Sequence, residues 1–438
     1  MADADEDDLY AALDWLITRQ AHIEKKLAAR HLHKGGFVLY DLSSSYFEGT
    51  TSPLAALGYN RDGKRGTLPV NYGLLTDPRG RPVAVSVFTG TTGDPTTLLP
   101  QVEKLQKTVA LDQLVLVGDR GMISQTQIKA LKQREGIDWI TALRTGAIRK
   151  LVDEGHIQLG LFDERNLFEV AHPDFPRERL VACRNPQLAL LRAHKRQSLL
   201  DATSRELENV RGMTSRGKLK GKAAIGVRIG TVVDKYKMAK HLVLDIRDDG
   251  FDFHLDDDKV SAEAALDGIY VIRTSVPVQL LAADDVVRSY KMLSQVERAF
   301  RSLKTIDLEV RPIRHWLEDR VKAHIFLCML AHYVVWHMIE SWRELLFCDE
   351  DQQAKNTRDP VAPAQRSRAA LAKVHSKVLD DGTPVHSFQT LLTDLSSIVS
   401  NACRRPGASA AGQPTFEVVT TPHSTQQRAY DLLKSIRL

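Results

Sequence analysis

The chain has 438 residues, 43% of them hydrophobic and 26% charged, with a formal net charge of +5. That length accommodates two or three domains with at least one sizeable core, and the composition is that of a globular protein. The net charge is too small to prove a polyanionic partner by itself, so the distribution of charge has to be read locally.

The chain opens with the acidic run "ADADEDD", whereas Lys and Arg gather later; Val286 to Lys322 holds nine Lys/Arg against five Asp/Glu. A local basic surface of that kind suits a phosphate backbone. Cys183, Cys328, Cys348 and Cys403 are far apart and form no C-x-x-C pair. A disulfide framework or zinc ribbon is therefore not expected, and a reducing, cytoplasmic compartment is. No apolar signal core follows the acidic N-terminus. The most apolar run, "AHIFLCMLAHYVVWHMI" (323–339), contains three histidines and is read as a buried helix rather than a membrane span.

In chain order, residues 7–32 are expected to form one lead helix. "GFVLYDL" (36–42), "LPVNYGLL" (68–75) and "RPVAVSVF" (81–88) have strand length and composition, and "DPRG" (77–80) supplies the turn that pairs the last two as a hairpin. "GDPTTLLPQVEKLQK" (93–107) predicts a helix capped by Asp94 with Pro95 in its first turn. "QLVLVGD" (113–119) is a strand, "SQTQIKALKQREG" (124–136) a helix and "IDWITAL" (137–143) a strand. Three successive strands followed by alternating units give a mixed sheet, antiparallel first and parallel after, in the order of the ribonuclease H-like fold.

Residues 150–285 interrupt that alternation. A long helix begins near Asn185-Pro186 and ends by Gly212, the basic stretch "RGMTSRGKLKGKAAIG" (211–226) follows, and then come strand-like pieces "VRIGTVV", "HLVLDI", "FDFHL" and "GIYVIRT". The expectation is a largely β insertion subdomain. Helices follow over 286–306 and 315–346, the chain loosens beyond Asp349, and shorter helical patterns occupy 387–403 and 424–437. The expected divisions are a helical lead (1–35), the first part of an α/β core (36–149), the insertion (150–285), the second part of the core (286–346) and a C-terminal linker with helices (347–438).

Asp41 ends the first predicted strand and Asp119 the fourth. The two strands would be adjacent and parallel in this fold, so carboxylates 78 residues apart emerge at one end of the sheet. Two close carboxylates repel one another, and a hard divalent cation such as Mg²⁺ relieves that repulsion. A third carboxylate would allow two ions about 3.5–4 Å apart, the arrangement used in phosphoryl transfer. Glu297 is the candidate. In "SYKMLSQVERAFRSLKT" (289–305), Tyr290, Glu297 and Lys304 recur every seven residues, which stacks them along one face of a continuous helix. Val296, Phe300 and Leu303 would dock that helix on the sheet.

These segments resemble a family. Tyr290, Glu297 and Lys304 match in spacing the signature Y-x2-R-x3-E-x6-K of DDE-class insertion-sequence transposases of the cut-and-paste branch. "VLYDLSSSYFEG" (38–49), "GDRGMIS" (118–124), "DGIYVIRTS" (267–275) and "VERAFRSLK" with "RPIRHWLEDRVKAHIFL" resemble its other blocks, in the correct order from Gly36 to Ile339. The resemblance implies an enzyme that hydrolyses transposon ends and lets the freed 3′-OH attack, through a hairpin and then at target DNA. It implies Asp41, Asp119 and Glu297 as ligands of two Mg²⁺ or Mn²⁺, and Tyr290 and Lys304 as contacts to terminal phosphates. It also implies double-stranded DNA as partner, a homodimer on that DNA, and a bacterial, nucleoid-associated location without a membrane. Two departures stand out: the signature arginine position is Leu293, for which Arg301 is a substitute candidate, and only forty residues precede Asp41. Arg298 and the loop lysines Lys218, Lys220 and Lys222 are further candidates for DNA contact, and "YNRDGKRG" (59–66) is a similar basic stretch.

Two rival readings follow from the same residues. One is a truncated or domesticated transposase that binds DNA without catalysis. The other is a haloacid-dehalogenase-type phosphatase, suggested by "FVLYDLSSS" with "GDRG"; it needs a second Asp two residues after the first, where this chain has Ser43. His324, Cys328 and His332 share a helix at i, i+4, i+8 and are read as core residues rather than soft-metal ligands.

Overall fold

The computed structural model describes residues 4–49, 51–108, 111–306, 308–351, 357–363, 365–404 and 416–436. They fall into two compact units, one drawn from Met1–Trp139, Arg288–Arg358 and Ala364–Leu438, the other from Ile140–Val287 and Asp359–Pro363.

The first unit begins with two helices where one was expected, α1 (Glu6–Ile17) and α2 (Gln20–His31). Asp5 and Asp8 form a reciprocal capping box at the start of α1. The helix stops at Thr18, whose hydroxyl bonds the Trp15 carbonyl (2.8 Å), a local bond that competes with the helical ladder. Strand β1 (Phe37–Phe47) runs five residues beyond its expected end. Its serines, beyond that expected end, are buried with partners: the Ser45 hydroxyl meets the Tyr72 hydroxyl at 2.9 Å, and Ser44 Oγ accepts from the Arg61 amide at 3.0 Å.

Strands β2 (Leu68–Thr76) and β3 (Pro82–Phe88) form the expected hairpin. Asp77 organises its turn by accepting from the amides of Arg79 (3.0 Å) and Arg81 (2.8 Å). A 3₁₀ turn (Asp94–Thr97) leads into α3 (Leu98–Thr108). Gly93, not Asp94, holds the cap position, because the Asp94 carboxylate is taken by Arg61. Strand β4 (Leu114–Val117), helix α4 (Gln125–Leu131) and strand β5 (Ile137–Ala142) follow. β1 pairs antiparallel with β2 and parallel with β4, and the order β3-β2-β1-β4-β5 agrees with the ribonuclease H-like expectation. Val38, Tyr40, Leu42, Leu98, Val102, Leu105, Leu116 and Ile128 bury one face of this sheet beneath its helices, each large aliphatic side chain contributing about 1.5–3 kcal/mol.

The division between the units falls within β5. In the second unit the strand order is β5-β10-β7-β6, with β6 (Leu167–Val170), β7 (Arg179–Arg184) and β10 (Ile269–Thr274) successively antiparallel. Helices α5 (Thr145–Asp153) and α6 (Leu161–Glu164) precede them. The expectation of a largely β insertion is corrected here. Helix outweighs strand in it: α7 (Pro186–Ser215), α8 (Lys222–Tyr236) and α9 (Asp257–Ala264), against the short strands β6, β7 and β10 and one small hairpin, β8 (Leu242–Ile246) with β9 (Phe251–Leu255). "VRIGTVV" lies inside α8. Its β-branched residues suggested a strand, but Ile225, Ile229 and Val232 are buried at helical spacing, and burial period outweighs intrinsic β propensity.

The segment expected as one helix over 286–306 is three pieces: α10 (Ala283–Lys291), α11 (Leu293–Arg301) and a π-helical turn (Ser302–Ile306). The seven-residue stripe is therefore broken at Met292 and again after Arg301. Helix α12 (Glu318–Ser341) packs on β3 and α1. It is long and apolar enough to cross a membrane, yet Val321, Ala323, Ile325, Phe326 and Met329 are buried in the protein. Beyond it lie α13 (Arg368–Ser376), α14 (Phe388–Leu395), the hairpin of β11 (Ser400–Cys403) with β12 (Phe416–Val419), and α15 (Ser424–Leu433). The helix expected over 387–403 thus ends early and turns into a strand. Part of the loose stretch after Asp349 lies outside the described residues.

Candidate active site

Leu39 of β1 is the parallel partner of Val117 in β4. Carrying that register forward two residues brings Asp41 level with Asp119, so strand pairing delivers both carboxylates to one place. Asp41 sits within β1 opposite Leu74, not at the strand end, and its Oδ1 accepts from the Leu42 amide at 2.8 Å. Asp119 lies just past β4 and is exposed. Its Oδ1 accepts from the amides of Gly121 (2.9 Å) and Met122 (2.7 Å), which fixes the side chain in the turn before α4.

Glu297 comes from α11. Leu293, Val296, Ala299 and Phe300 form the buried face of that helix, which packs on β1. The Phe300 ring meets Tyr72 of β2 edge-on at 5.8 Å. Glu297 lies on the exposed side. Leu293 is part of the core, 8% exposed.

Asp41 feels both other carboxylates. Burial pushes its carboxyl up to about 7; Asp119 and Glu297 push the same way, and the Leu42 amide and Arg61 oppose them. Burial raises the Tyr290 hydroxyl to about 12, with Asp119, Glu297 and Asp41 all adding to the rise against Arg120. Tyr290 and the three acidic residues therefore share one electrostatic neighbourhood, despite the break in the helix between them. An all-oxygen set of mutually repelling carboxylates fits hard divalent ions such as Mg²⁺ or Mn²⁺. The three do not make a tight single-ion cluster: among the described residues, only Glu154, His156 and His172 have ligand atoms all within 4.8 Å of one another. In that second cluster His172 Nδ1 accepts from the Asp174 amide at 3.0 Å, so Nε2 carries the proton of the neutral ring, directed at Glu154 3.5 Å away. That tautomer withholds Nε2 from a metal.

Lys304 does not stand open to solvent. Its ammonium pairs with Asp62 at 3.0 Å, across 242 residues of sequence. Asp62 is 1% exposed and also pairs with Arg311, while its other oxygen accepts from the Tyr46 amide at 3.0 Å. Burial lowers the Lys304 ammonium, Asp62 opposing. Sequence reading took "YNRDGKRG" as a basic surface stretch and missed Asp62, Arg61 and Arg311; the lone Asp among basic residues was the available signal. Arg61 pairs with Asp94 and bears on Asp41.

Arg298 and Arg301 are exposed on α11; in the second unit Lys218 and Lys220 are exposed between α7 and α8, and Lys222 is exposed at the start of α8. Ser43, where a phosphatase of the rival class needs an acid, is buried in β1. His324 Nε2 bonds the Val310 carbonyl (3.2 Å), His332 Nδ1 bonds Ser302 Oγ (3.2 Å), and Cys328 is buried, its thiol pushed up to about 11. The two histidines are hydrogen-bonded and the cysteine is packed in the core.

No curated protein matches the chain. One solved structure, a cryo-EM piggyBac transposase synaptic complex with hairpin DNA, aligns over 83% of this chain and 62% of its own, with 9% identity and a TM-score of 0.33. The chain thus spans less than two thirds of that protein. The transposase DDE domain family matches residues 38–334, an interval that contains Asp41, Asp119 and Glu297. Covering more than half the sequence, that match establishes that the chain belongs to the transposase DDE domain family.

Proposed function

We propose that this protein is a DNA transposase of an insertion sequence, acting on the double-stranded terminal inverted repeats of its element and on target DNA as a homodimer. The observation that carries this reading is the convergence on Asp41 of the charges of Asp119 and Glu297, within a chain of the DDE family.

Asp41, Asp119 and Glu297 would hold two Mg²⁺ or Mn²⁺ ions. When bound, such ions offset the carboxylate charge and polarise the scissile phosphodiester. Water displaces the 3′ oxygen of the transposon end; the freed 3′-OH attacks the opposite strand to close a hairpin, a second water opens that hairpin and regenerates the 3′-OH, and this 3′-OH then attacks the target. The chain's own residues orient the DNA for these displacements. The turn that carries Asp119, with its two amide donors, keeps one ligand rigid. The Tyr290 hydroxyl, protonated at neutral pH, donates to a backbone phosphate. Lys304, Arg298 and Arg301 supply positive charge beside Glu297, and Lys218, Lys220 and Lys222 bind backbone from the second unit.

The test is cleavage of a duplex carrying the inverted repeat that borders the gene, with Mg²⁺ or Mn²⁺. Nicking by wild type and its loss in Asp41→Asn support the reading; nicking that survives in Asp41→Asn, Asp119→Asn and Glu297→Gln overturns it. The burial of Leu293 where the family signature has arginine favours a second reading, DNA binding without catalysis, which predicts retained binding with no nicking by wild type.

A further inference from the structure

Gly80 lies in the turn between β2 and β3, and that turn abuts α11, the helix that carries Glu297. A Cβ on Gly80 would sit 2.9 Å from Gln295 Cβ and 3.5 Å from the Gln295 carbonyl oxygen. Carbon atoms pack best about 3.5–4.0 Å apart, so turn and helix meet with no room for a methyl group. Gln295 Cβ is fixed by its backbone and cannot swing aside; relief requires the turn or the helix to move. Gln295 precedes Glu297 by two residues, about 200° round an α-helix, so the contact falls on the side of α11 opposite the carboxylate.

The turn is the less yielding partner. Asp77, 1% exposed, accepts from the Arg79 and Arg81 amides and from Arg81 Nε at 2.7 Å, and the Gly80 amide donates to the Asp77 carbonyl at 3.0 Å. Arg79 fastens the turn to α12. Its carbonyl accepts from Trp336 Nε1 at 3.1 Å, and its guanidinium lies over the Trp336 ring at 4.8 Å and pairs with Glu340 at 2.7 Å. By contrast α11 is nine residues long, broken from α10 at Met292 and passing into a π-helical turn after Arg301. No continuous helix fixes its axis, so packing decides where it lies: β1 under its buried face and the turn at Gln295.

We propose that Gly80 is a positioning residue for Glu297: the β2–β3 turn is a backstop that sets how far this carboxylate reaches toward Asp41 and Asp119. Glycine serves there through the space it leaves to α11 as well as through its φ of +84°. The inference rests on the reading of Glu297 as a metal ligand.

Mn²⁺ binding, followed by loss of the free-ion EPR signal as MnCl₂ is titrated into the protein, tests it beside thermal melts of metal-free protein. Gly80→Ala is expected to weaken Mn²⁺ binding about 10-fold, the effect of disturbing the support behind a metal ligand. Gly35→Ala is the control for backbone strain, because Gly35 has φ +74° and open space where a Cβ would go; it should melt lower and bind Mn²⁺ as wild type does. Removing the opposing Cβ should rescue: Gly80→Ala combined with Gln295→Gly is expected to regain most of the wild-type affinity while still melting below wild type, since both changes disfavour the native backbone. Unchanged affinity in Gly80→Ala, an equal loss in Gly35→Ala, or a double variant that binds no better than Gly80→Ala overturns the backstop and leaves the reading of Glu297 standing. Wild type that binds no Mn²⁺, or Glu297→Gln that binds it as wild type does, overturns that reading and the inference with it. If Gly80→Ala does not fold, as judged by circular dichroism, Gln295→Gly and the double variant decide: tighter binding in the double variant, where the added methyl group refills the gap, supports the backstop, and equal or weaker binding overturns it.

Discussion

Leu39 and Val117 are partners in a parallel strand pair, and two residues further on come Asp41, still within β1, and Asp119, just past the end of β4. The carboxylate pair is thus a product of backbone register. A slip of one residue would turn one of the two side chains to the opposite face of the sheet.

Neutralising any one of the three carboxylates should abolish DNA cleavage while leaving the fold intact. Asp41→Asn, Asp119→Asn and Glu297→Gln are each expected to lower the cleavage rate by about 10³-fold or more, equivalent to about 4 kcal/mol of transition-state stabilisation. In metal-free protein Asp41→Asn should melt at the same or a higher temperature, because it removes a repelled, buried charge. Single-turnover cleavage and thermal melts measure the two effects.

Divalent metal should stabilise the wild type and not the Asp41 variant. A ligand held only by the folded state at about a hundred times its dissociation constant adds about 2.7 kcal/mol. Titrating MnCl₂ during thermal denaturation should raise the wild-type midpoint and leave Asp41→Asn in place.

Acid should weaken the first unit through His31. Burial, reinforced by Arg81 and His337, holds this imidazole down at about 4, and its Nε2 lies 2.8 Å from the Tyr333 hydroxyl. The unfolded chain takes up the proton near the ordinary value of about 6.5, so it binds more protons than the folded chain between about 6.5 and 4. Stability therefore falls as pH drops through that window, by up to about 1.4 kcal/mol per pH unit for one group. Urea unfolding at pH 7 and pH 5 should show a smaller difference for His31→Gln than for wild type.

Glu24 guards the edge of the sheet. It is 1% exposed, accepts from the Val85 amide of β3 at 3.0 Å and pairs with Lys104 at 2.7 Å. An edge strand with an unmet N–H is a pairing hazard. Glu24→Ala should cost about 3 kcal/mol in urea unfolding, with Glu24→Gln costing less because it keeps an acceptor for Val85.

Gly58 is where backbone seals on backbone. A Cβ there would sit 1.9 Å from the Gly90 carbonyl oxygen, and neither chain can yield without moving the loop that carries Asp62. Gly58→Ala is expected to cost about 1–3 kcal/mol in chemical denaturation and to lower cleavage together with stability.

Much of the architecture was readable along the chain because its signals are local. Turn residues at Asp77 and Gly80, short β-branched runs and the polar residues bounding α4 report what neighbouring residues do to one another, and the structure has the expected hairpin and sheet order. Asp41 and Asp119 could be selected because acids that close apolar runs are conspicuous, and Glu297 because it recurs every seven residues with Tyr290 and Lys304. Three features were not readable. The insertion's α8 carries strand-favouring residues whose helical spacing shows only once Ile225, Ile229 and Val232 are seen buried together. The serines of β1 lie beyond the expected end of that strand, and their partners, Tyr72 and the Arg61 amide, come from other segments. Asp62 is surrounded in sequence by Arg61, Lys64 and Arg65, yet the cations it holds are Lys304 and Arg311. Local patterns express short-range preferences of single segments; burial, strand register and ion pairing across hundreds of residues are properties of the packed chain, because desolvation and Coulomb energy depend on which groups meet in space.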